Sequence, residues 1–287
     1  MTLRMAVPNK GRLNERAVEL LIQSGLDLGD EWGRKLVVRT RNQDMEILFV
    51  RAQDIPRFVA SGAVDIGITG QDQVAESKCE VKEMLELEFG HCRLSVAVPE
   101  AMGCESLDCL PDKPVVATSF PNLARDYFKS KGKEIRLVTI GGAAEIMPYL
   151  GVADAIVDLV STGTTLKTNR LVEISRIMES QAVAIACPKA LKAKGEAIAD
   201  VVESIDSVIQ AEKKKYLMAD VPVDRLDEVR RRLPGIEGPT VMDISGRDDM
   251  VAIHVVVDKL DVFDAVNDLK KLGARGILIM PINRMVP

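Results

Sequence analysis

The chain has 287 residues, 47% of them apolar and 28% charged, with 38 Lys and Arg against 43 Asp and Glu. That length and mix describe two or three compact folded units and exclude wholesale disorder. A net charge of −5 excludes a generic nucleic-acid binder, and 3% aromatics leave little to stack on single-stranded bases.

No run approaches the roughly 18 apolar residues of a membrane helix. Met1 to Val7 turns polar at Pro8-Asn9-Lys10-Gly11-Arg12, so no signal peptide is expected. The cysteines are Cys79, Cys92, Cys104, Cys109 and Cys187. An odd count without paired Cys-x-x-Cys spacing reads as reduced thiols of a cytoplasmic protein. The two histidines, His91 and His254, lie far apart. They form no metal cluster and weaken any Ser-His-Asp or Cys-His scheme. Chemistry is left to carboxylates, Lys and Arg, backbone amides, or a bound metal–substrate complex.

In chain order, Leu3 to Val7 is a strand. A helix follows with Ala17, Leu20, Leu21 and Ser24 on one face and Gly25 as its stop. Lys35 to Arg39 and Glu46 to Val50 are strands. Asp54 caps a helix with Pro56 in its first turn and Gly62 at its end. Val64 to Thr69 is a strand, and Gly70-Gln71-Asp72 opens another helix. This alternation predicts a mainly parallel sheet. The pattern restarts after His91, with strands at Arg93–Val98, Val115–Ser119, Ile135–Ile140 and Ala153–Val160. Helices are expected after Pro121 and after Gly141-Gly142, the latter carrying Glu145. Extended pieces at 171–174 and 182–186 lead to a long helix over 189–212.

The reading is α/β: one lobe from 1–90 with 181–212, a second from 91–180, and a cleft between them for a small molecule. Residues 215–287 form a separate module. Its strand–helix–strand–strand–helix–strand order is ferredoxin-like. Within it, Pro234-Gly235 ends the first helix, and Asp261 caps the second, whose inward face carries Val262, Ala265, Val266 and Leu269.

The strongest local signal is Ala155-Ile-Val-Asp-Leu-Val-Ser-Thr-Gly-Thr-Thr-Leu166. A hydrophobic strand delivers Asp158 near its end. Ser161, Thr162, Gly163, Thr164 and Thr165 follow. Gly163 tolerates positive φ, so successive N–H groups converge with hydroxyls on one point, an anion nest suited to phosphate. Asp158 lies where ribose hydroxyls or a magnesium ion would sit. No Gly-Lys-Ser/Thr ends the run, so it is not a Walker loop. Asn9-Lys10-Gly11-Arg12 places two cations at a helix start. Asp65-Ile-Gly-Ile-Thr69-Gly70 and Thr118-Ser-Phe-Pro-Asn122 are further strand-end loops of the kind a cleft uses.

These pieces in this order resemble the long form of the ATP phosphoribosyltransferase family. The matching stretches are Pro8-Asn-Lys-Gly-Arg-Leu13, Asp65–Gly70, Ala117–Leu123, Gly151–Leu166, Lys215–Met218, Pro239-Thr240 and Leu272–Leu278. The resemblance covers essentially the whole chain. It implies a two-lobed, periplasmic-binding-protein-like (type II) catalytic core and a ferredoxin-like, histidine-binding regulatory domain. It implies a cytoplasmic enzyme that condenses ATP with 5-phosphoribosyl 1-pyrophosphate, using Mg2+, in the first step of histidine biosynthesis.

On that resemblance Ser161–Thr165 hold the ribose 5-phosphate. Asp158 holds ribose hydroxyls and contacts magnesium mainly through substrate. Glu145 acts beside Asp158 on the ribose or its developing cation. Lys10, Gly11, Arg12, Thr69, Gly70 and Asp72 line the ATP and pyrophosphate side. Asp220, Thr240 and Ala274 take the inhibitor histidine, with AMP a second inhibitor and a homo-oligomer moving between dimer and hexamer. Neither a nucleic-acid nor a membrane partner is expected. A two-lobed solute sensor and a phosphoribosyltransferase for another base are the rival readings. The loop alone does not separate the second rival.

Overall fold

A computed structural model describes residues 2–30, 32–233, 235–236 and 238–286, with the side chains of Arg12 and Arg34 also outside the description. The chain divides into two compact units, 1–19 with 26–202, and 20–25 with 203–287.

The first unit holds two sheets. Its first lobe contains β1 (Leu3–Pro8), α1 (Arg12–Gln23), β2 (Val37–Arg39), β3 (Met45–Val50), α2 (Ile55–Ser61), β4 (Ile66–Gly70), α3 (Gln71–Ser77) and β5 (Lys82–Glu86). The second contains β6 (Cys92–Pro99), β7 (Val115–Thr118), α4 (Pro121–Ser130), β8 (Arg136–Thr139), β9 (Ala155–Val160), α5 (Thr164–Thr168) and β10 (Leu171–Ser180). The chain then returns through β11 (Ala182–Ala186) into α6 (Pro188–Glu212). The sheet orders are β2-β3-β1-β4-β11-β5 and β10-β6-β9-β7-β8. Two short crossovers, β5 to β6 and β10 to β11, therefore join the lobes.

The sheets are less parallel than expected. Only β3-β1-β4 and β9-β7-β8 run parallel, while β2, β11, β5, β6 and β10 pair antiparallel. β2 and β3 pair as consecutive antiparallel strands, and the crossover returns β11 to the first sheet antiparallel to β4. β5, with its exposed Lys and Glu positions, was not expected, because an edge strand lacks a continuous apolar run. Central strands are buried on both faces, as the all-apolar runs of β4 and β11 require.

Local signals decide most helix ends. Pro56 occupies the first turn of α2, and Gly62 closes it at φ 77°. Asp54 stands at the N-cap but its side chain makes no capping bond, and the same holds for Asp261. The helix expected after Gly141-Gly142 is a single 3-10 turn, Ala144–Ile146. Gly142 and Ala143 both take positive φ, and Pro148 cannot continue an α-helix. Cys104 and Cys109, expected as free thiols, form a disulfide with Cα atoms 5.8 Å apart, because a tight turn brings them together. Cys79 and Cys187 are free thiols.

The second unit contains β12 (Lys214–Pro222), α7 (Leu226–Arg232), β13 (Thr240–Ile244), β14 (Arg247–Asp258), α8 (Val262–Lys271) and β15 (Arg275–Pro281). Their order β13-β14-β12-β15, all antiparallel, is that of a ferredoxin-like module. Leu217, Ala219, Val221, Ile253 and Val255 alternate inward against Val229, Ala265 and Leu269 of the two helices. Val266 is only half-buried. Pro234 lies outside the described residues.

Candidate active site

Within the first unit, β9 ends on the loop that carried the strongest sequence signal. A cavity of about 630 Å³ opens there, lined by Lys10, Gly11, Gly70, Asp72, Glu145, Asp158, Ser161, Thr162, Gly163 and Thr165. Ten of the expected site residues thus surround one space, drawn from both lobes.

Gly163 adopts φ 79° and starts α5. Among the described residues, no acceptor takes the backbone N–H of Thr162, Gly163, Thr165 or Leu166. Four donors at a strand end are therefore left for a ligand. Thr164 departs from expectation: it does not line the cavity, and its hydroxyl meets that of Thr162 at 3.0 Å. A positive φ at Gly163 turns the following side chain back along the loop.

The loop is braced from below. Arg93 of β6 forks onto Glu173 of β10, with Nε–Oε1 at 2.9 Å and Nη2–Oε2 at 2.6 Å. Its Nη1 donates to the Ser161 carbonyl at 3.2 Å, and Ser95 Oγ donates to Glu173 at 2.9 Å. The Arg93 guanidinium holds the Glu173 carboxyl below its ordinary value. A fork of this kind fixes direction as well as distance. The sequence did not single out this pair, because its partners sit on different strands.

Asp158 is half-buried and accepts a hydrogen bond from the adjacent Leu159 N–H at 2.8 Å. Burial and then the charge of Glu145 push its pKa from 3.8 up to about 6, against the Leu159 bond. Two carboxylates thus line one cavity close enough for one charge to act on the other. That is the setting in which charge is held ready for a cationic or hydroxyl-bearing ligand.

The first lobe behaves differently. Thr69 is fully buried, and its hydroxyl donates to the Ala52 carbonyl at 2.8 Å, so it does not line the cavity as expected. Its side chain is turned inward by strand alternation. Asp72 reaches the cavity but is already engaged, accepting from Ser180 Oγ at 2.6 Å and Gln73 Nε2 at 2.7 Å. Gly70 makes this possible, because a Cβ there would stand 2.1 Å from Asp72 Oδ1. Gly67 serves packing: its Cβ would meet Ile55 Cγ2 at 2.5 Å, so α2 seats directly on β4. Asp65 pairs with Lys194 at 2.8 Å, delivered by a non-helical residue inside α6. The loop Thr118–Asn122 is also internal. Thr118 donates to Val157, and the Glu76 carboxylate accepts both the Asn122 and Leu123 N–H groups at the start of α4. Lys10 lines the cavity without a carboxylate partner among the described residues. The Arg12 side chain lies outside the described residues.

Residues that the sequence reading missed complete the walls: Leu13 and Arg16 from α1, Phe89, His91 and Cys92 on one crossover, and Gln181 and Ala182 on the other. Crossover residues carry no motif, so only the fold reveals them.

In the second unit, Asp220 and Thr240 project from one face of the sheet. The register aligns Thr240 with His254 and Met218, and Asp220 with Ala252. Tyr216 Oη meets His254 Nδ1 at 2.6 Å on that face. Ala274 lies outside the sheet, in the turn before β15, and its N–H already donates to the Leu269 carbonyl at 3.0 Å.

Two lobes joined by two crossovers, with an amide-rich loop and acidic side chains around one cavity, define a small-molecule site of the kind that two-lobed α/β proteins carry. A family model described as ATP phosphoribosyltransferase matches residues 51–207, and one described as HisG, C-terminal domain, matches residues 211–284. The ATP phosphoribosyltransferase of Methanopyrus kandleri is 48% identical over 99% of this chain and all of that protein. That of Natronomonas pharaonis is 45% identical over the same shares. A chain of the ATP phosphoribosyl transferase (HisG:HisZ) complex from Thermotoga maritima superposes with a TM-score of 0.65 at 28% identity, covering 73% of this chain and 99% of that one. The chain belongs to the ATP phosphoribosyltransferase family, transferases of histidine biosynthesis. Among the described residues no helix is long and apolar enough to cross a membrane.

Proposed function

We propose that the cavity condenses ATP with 5-phosphoribosyl 1-pyrophosphate and that the ferredoxin-like unit relays inhibition by histidine. The observation that carries the catalytic part is that Asp158 and Glu145, close enough for one charge to act on the other, line the same cavity as the loop whose Thr162, Gly163 and Thr165 amides are open. The loop amides take the ribose 5-phosphate. Asp158 accepts hydrogen bonds from the ribose hydroxyls. Lys10 and Arg16 face the anionic chain of the nucleotide or the leaving pyrophosphate. Adenine N1 forms a bond to ribose C1 while the C1–oxygen bond to pyrophosphate breaks with its electron pair. Positive charge develops on the ribose, and the two carboxylates stabilise it by position alone. N1 carries no proton, so the step needs no general base.

Among the described residues no group of three His, Cys, Asp or Glu side chains could hold a metal. Asp158 with Glu145 fits a magnesium ion held mostly by substrate oxygens, which is how that ion is commonly bound. When bound there it would neutralise the leaving pyrophosphate. For the regulatory part, Asp220 would take the amino group of histidine, and Thr240 and the Ala274 backbone its other polar ends. A homo-oligomer moving between dimer and hexamer belongs to the same reading.

The test measures pyrophosphate release from ATP, phosphoribosyl pyrophosphate and magnesium, with and without histidine. Release that histidine suppresses in the parent chain but not in Asp220→Asn supports both parts. No release under any condition would return the chain to the solute-sensor reading. Release indifferent to histidine would remove the regulatory part alone.

A further inference from the structure

Helix α4 of the second lobe starts without a cap of its own. Phe120 stands at its N-cap and makes no side-chain capping bond, and Pro121 at its first turn has no N–H. Ala124 makes the first bond of the helix, to the Phe120 carbonyl at 2.9 Å. That leaves the N–H groups of Asn122 and Leu123 to be answered from outside. Both donate to the Glu76 carboxylate, one to each oxygen, at 2.9 Å. Asn122 Nδ2 adds a third bond, to the Glu76 carbonyl, also at 2.9 Å. Glu76 belongs to α3, in the first lobe. The anionic cap that α4 needs is therefore supplied by the opposite lobe. Lys78, just beyond α3, pairs with Asp126 of α4 at 2.6 Å, but both side chains are exposed and water screens them.

Both ends of this contact run to the cavity. On the first lobe, Asp72 and Gln73 of α3 line it, about one turn before Glu76. The start of α3 is pinned at the β10–β11 crossover. Ser180 Oγ donates to Asp72 Oδ1 at 2.6 Å and accepts the Asp72 N–H at 3.0 Å, while Gln71 N–H donates to the Gln181 carbonyl at 2.9 Å. On the second lobe, the start of α4 is tied to the strand that carries Asp158. Phe120 N–H donates to Thr118 Oγ1 at 2.9 Å, and that hydroxyl donates to the Val157 carbonyl at 2.7 Å. Two crossovers by themselves let the lobes turn about them. A helix pinned to one crossover and bonded to the far lobe closes a triangle and fixes the angle. Glu76 and Asn122 are only partly buried, so water answers their groups when the tie opens, and the brace is reversible.

We infer that Glu76 is an interlobe brace, whose carboxylate on the start of α4 sets the angle between the lobes. It thereby sets the fraction of chains in which one ligand touches both banks of the cavity. A ligand that spans the Lys10 side and the loop amides then meets a population already formed. Glu76 does not line the cavity and is a positioning residue. The kinetic part of its test rests on the function proposed above; the exchange part does not.

The experiment uses Glu76→Gln in the full chain, which keeps the size of the side chain but turns one acceptor into a donor facing an N–H. The KM for ATP and for phosphoribosyl pyrophosphate should both rise by about tenfold, the loss of population in the competent angle. At saturation kcat should stay within about twofold, because bound ligand draws the lobes together. Hydrogen exchange of the ligand-free protein, read by mass spectrometry, should quicken by about tenfold at the crossover amides of Leu87 and Ala182. Those amides bond across the hinge, to the Ala182 and Phe89 carbonyls. Asn122→Ala removes the third bond alone and should act in the same direction, by about threefold, with the double variant falling short of the product. Faster exchange confined to 121–130, with a lower melting temperature and both KM values unchanged, would make Glu76 a helix cap only and overturn the brace. A parent chain that releases no pyrophosphate overturns the transferase reading and leaves crossover exchange to decide the brace. Should Glu76→Gln fail to fold, Asn122→Ala carries both readouts.

Discussion

The two banks of the cavity carry acids in opposite states. On the first lobe, Asp72 accepts from Ser180 and Gln73, and the Asp65 carboxylate behind it accepts from Lys194 and the Arg4 N–H. On the second lobe, Asp158 has the N–H of its own neighbour and faces the negative charge of Glu145. The satisfied acids hold the chain together. The unsatisfied ones cost stability and are kept ready for a ligand. Position beside the cavity therefore does not mark a reactive acid; an unanswered charge does.

The largest effect expected from this contrast is at Asp158. Asp158→Asn should lower kcat by about a thousandfold, roughly 4 kcal/mol of barrier. It should also raise the melting temperature by about 2 °C at pH 8. The sign follows from the raised pKa. Between 3.8 and about 6 the folded chain holds a proton that the unfolded chain releases. The penalty for the ionised acid therefore grows as pH rises through that window and is complete above it. The same titration should make kcat/KM of the parent fall as pH drops below about 6. Normal turnover in Asp158→Asn would dissolve the contrast between the banks.

Next in size is Lys194→Met. It strands Asp65 beside the Arg4 amide without its cation and should cost about 2–3 kcal/mol, reduced from the fully buried case because both side chains keep some exposure. Urea unfolding measures this, and kcat should not change. Arg93→Lys keeps the charge but loses the fork onto Glu173 and the hold on Ser161. The KM for phosphoribosyl pyrophosphate should rise by about tenfold. The KM for ATP should stay put, and equal rises in both would show a general loosening instead. The smallest effect is expected for Ser180→Ala, which removes one donor to Asp72 and should cost about 1 kcal/mol by thermal melting.

Much of this site was legible beforehand. Gly163 after an apolar strand forecasts its turn, and Asp158, Ser161, Thr162, Gly163 and Thr165 line one cavity with Lys10 and Glu145. Thr69 turns its hydroxyl to the Ala52 carbonyl and Thr164 turns its own to Thr162, so neither side chain lines the cavity. Which way a side chain faces depends on strand phase and on a positive φ just before it, not on residue type. The helix around Glu145 was overread, because Gly142, Ala143 and Pro148 outweigh the apolar residues between them. Gly70 lines the cavity as expected, and both Gly67 and Gly70 also serve packing. The neighbours that need their space, Ile55 and Asp72, come from a packed helix and a folded-back carboxylate.

By itself the amino-acid order determined most strands, most helix ends, the ferredoxin-like tail and the family, since these follow from hydrophobic period, glycine and proline placement, and contiguous motifs. The tertiary structure alone decided which acids are paired, which glycines are steric, and that Cys104 bonds Cys109. Hydrogen bonds join residues as far apart as Asp72 and Ser180, 108 positions away, or Asp65 and Lys194, 129 away. The free energy of a buried polar group is set by the atoms that reach it, and those are known only once the chain has folded.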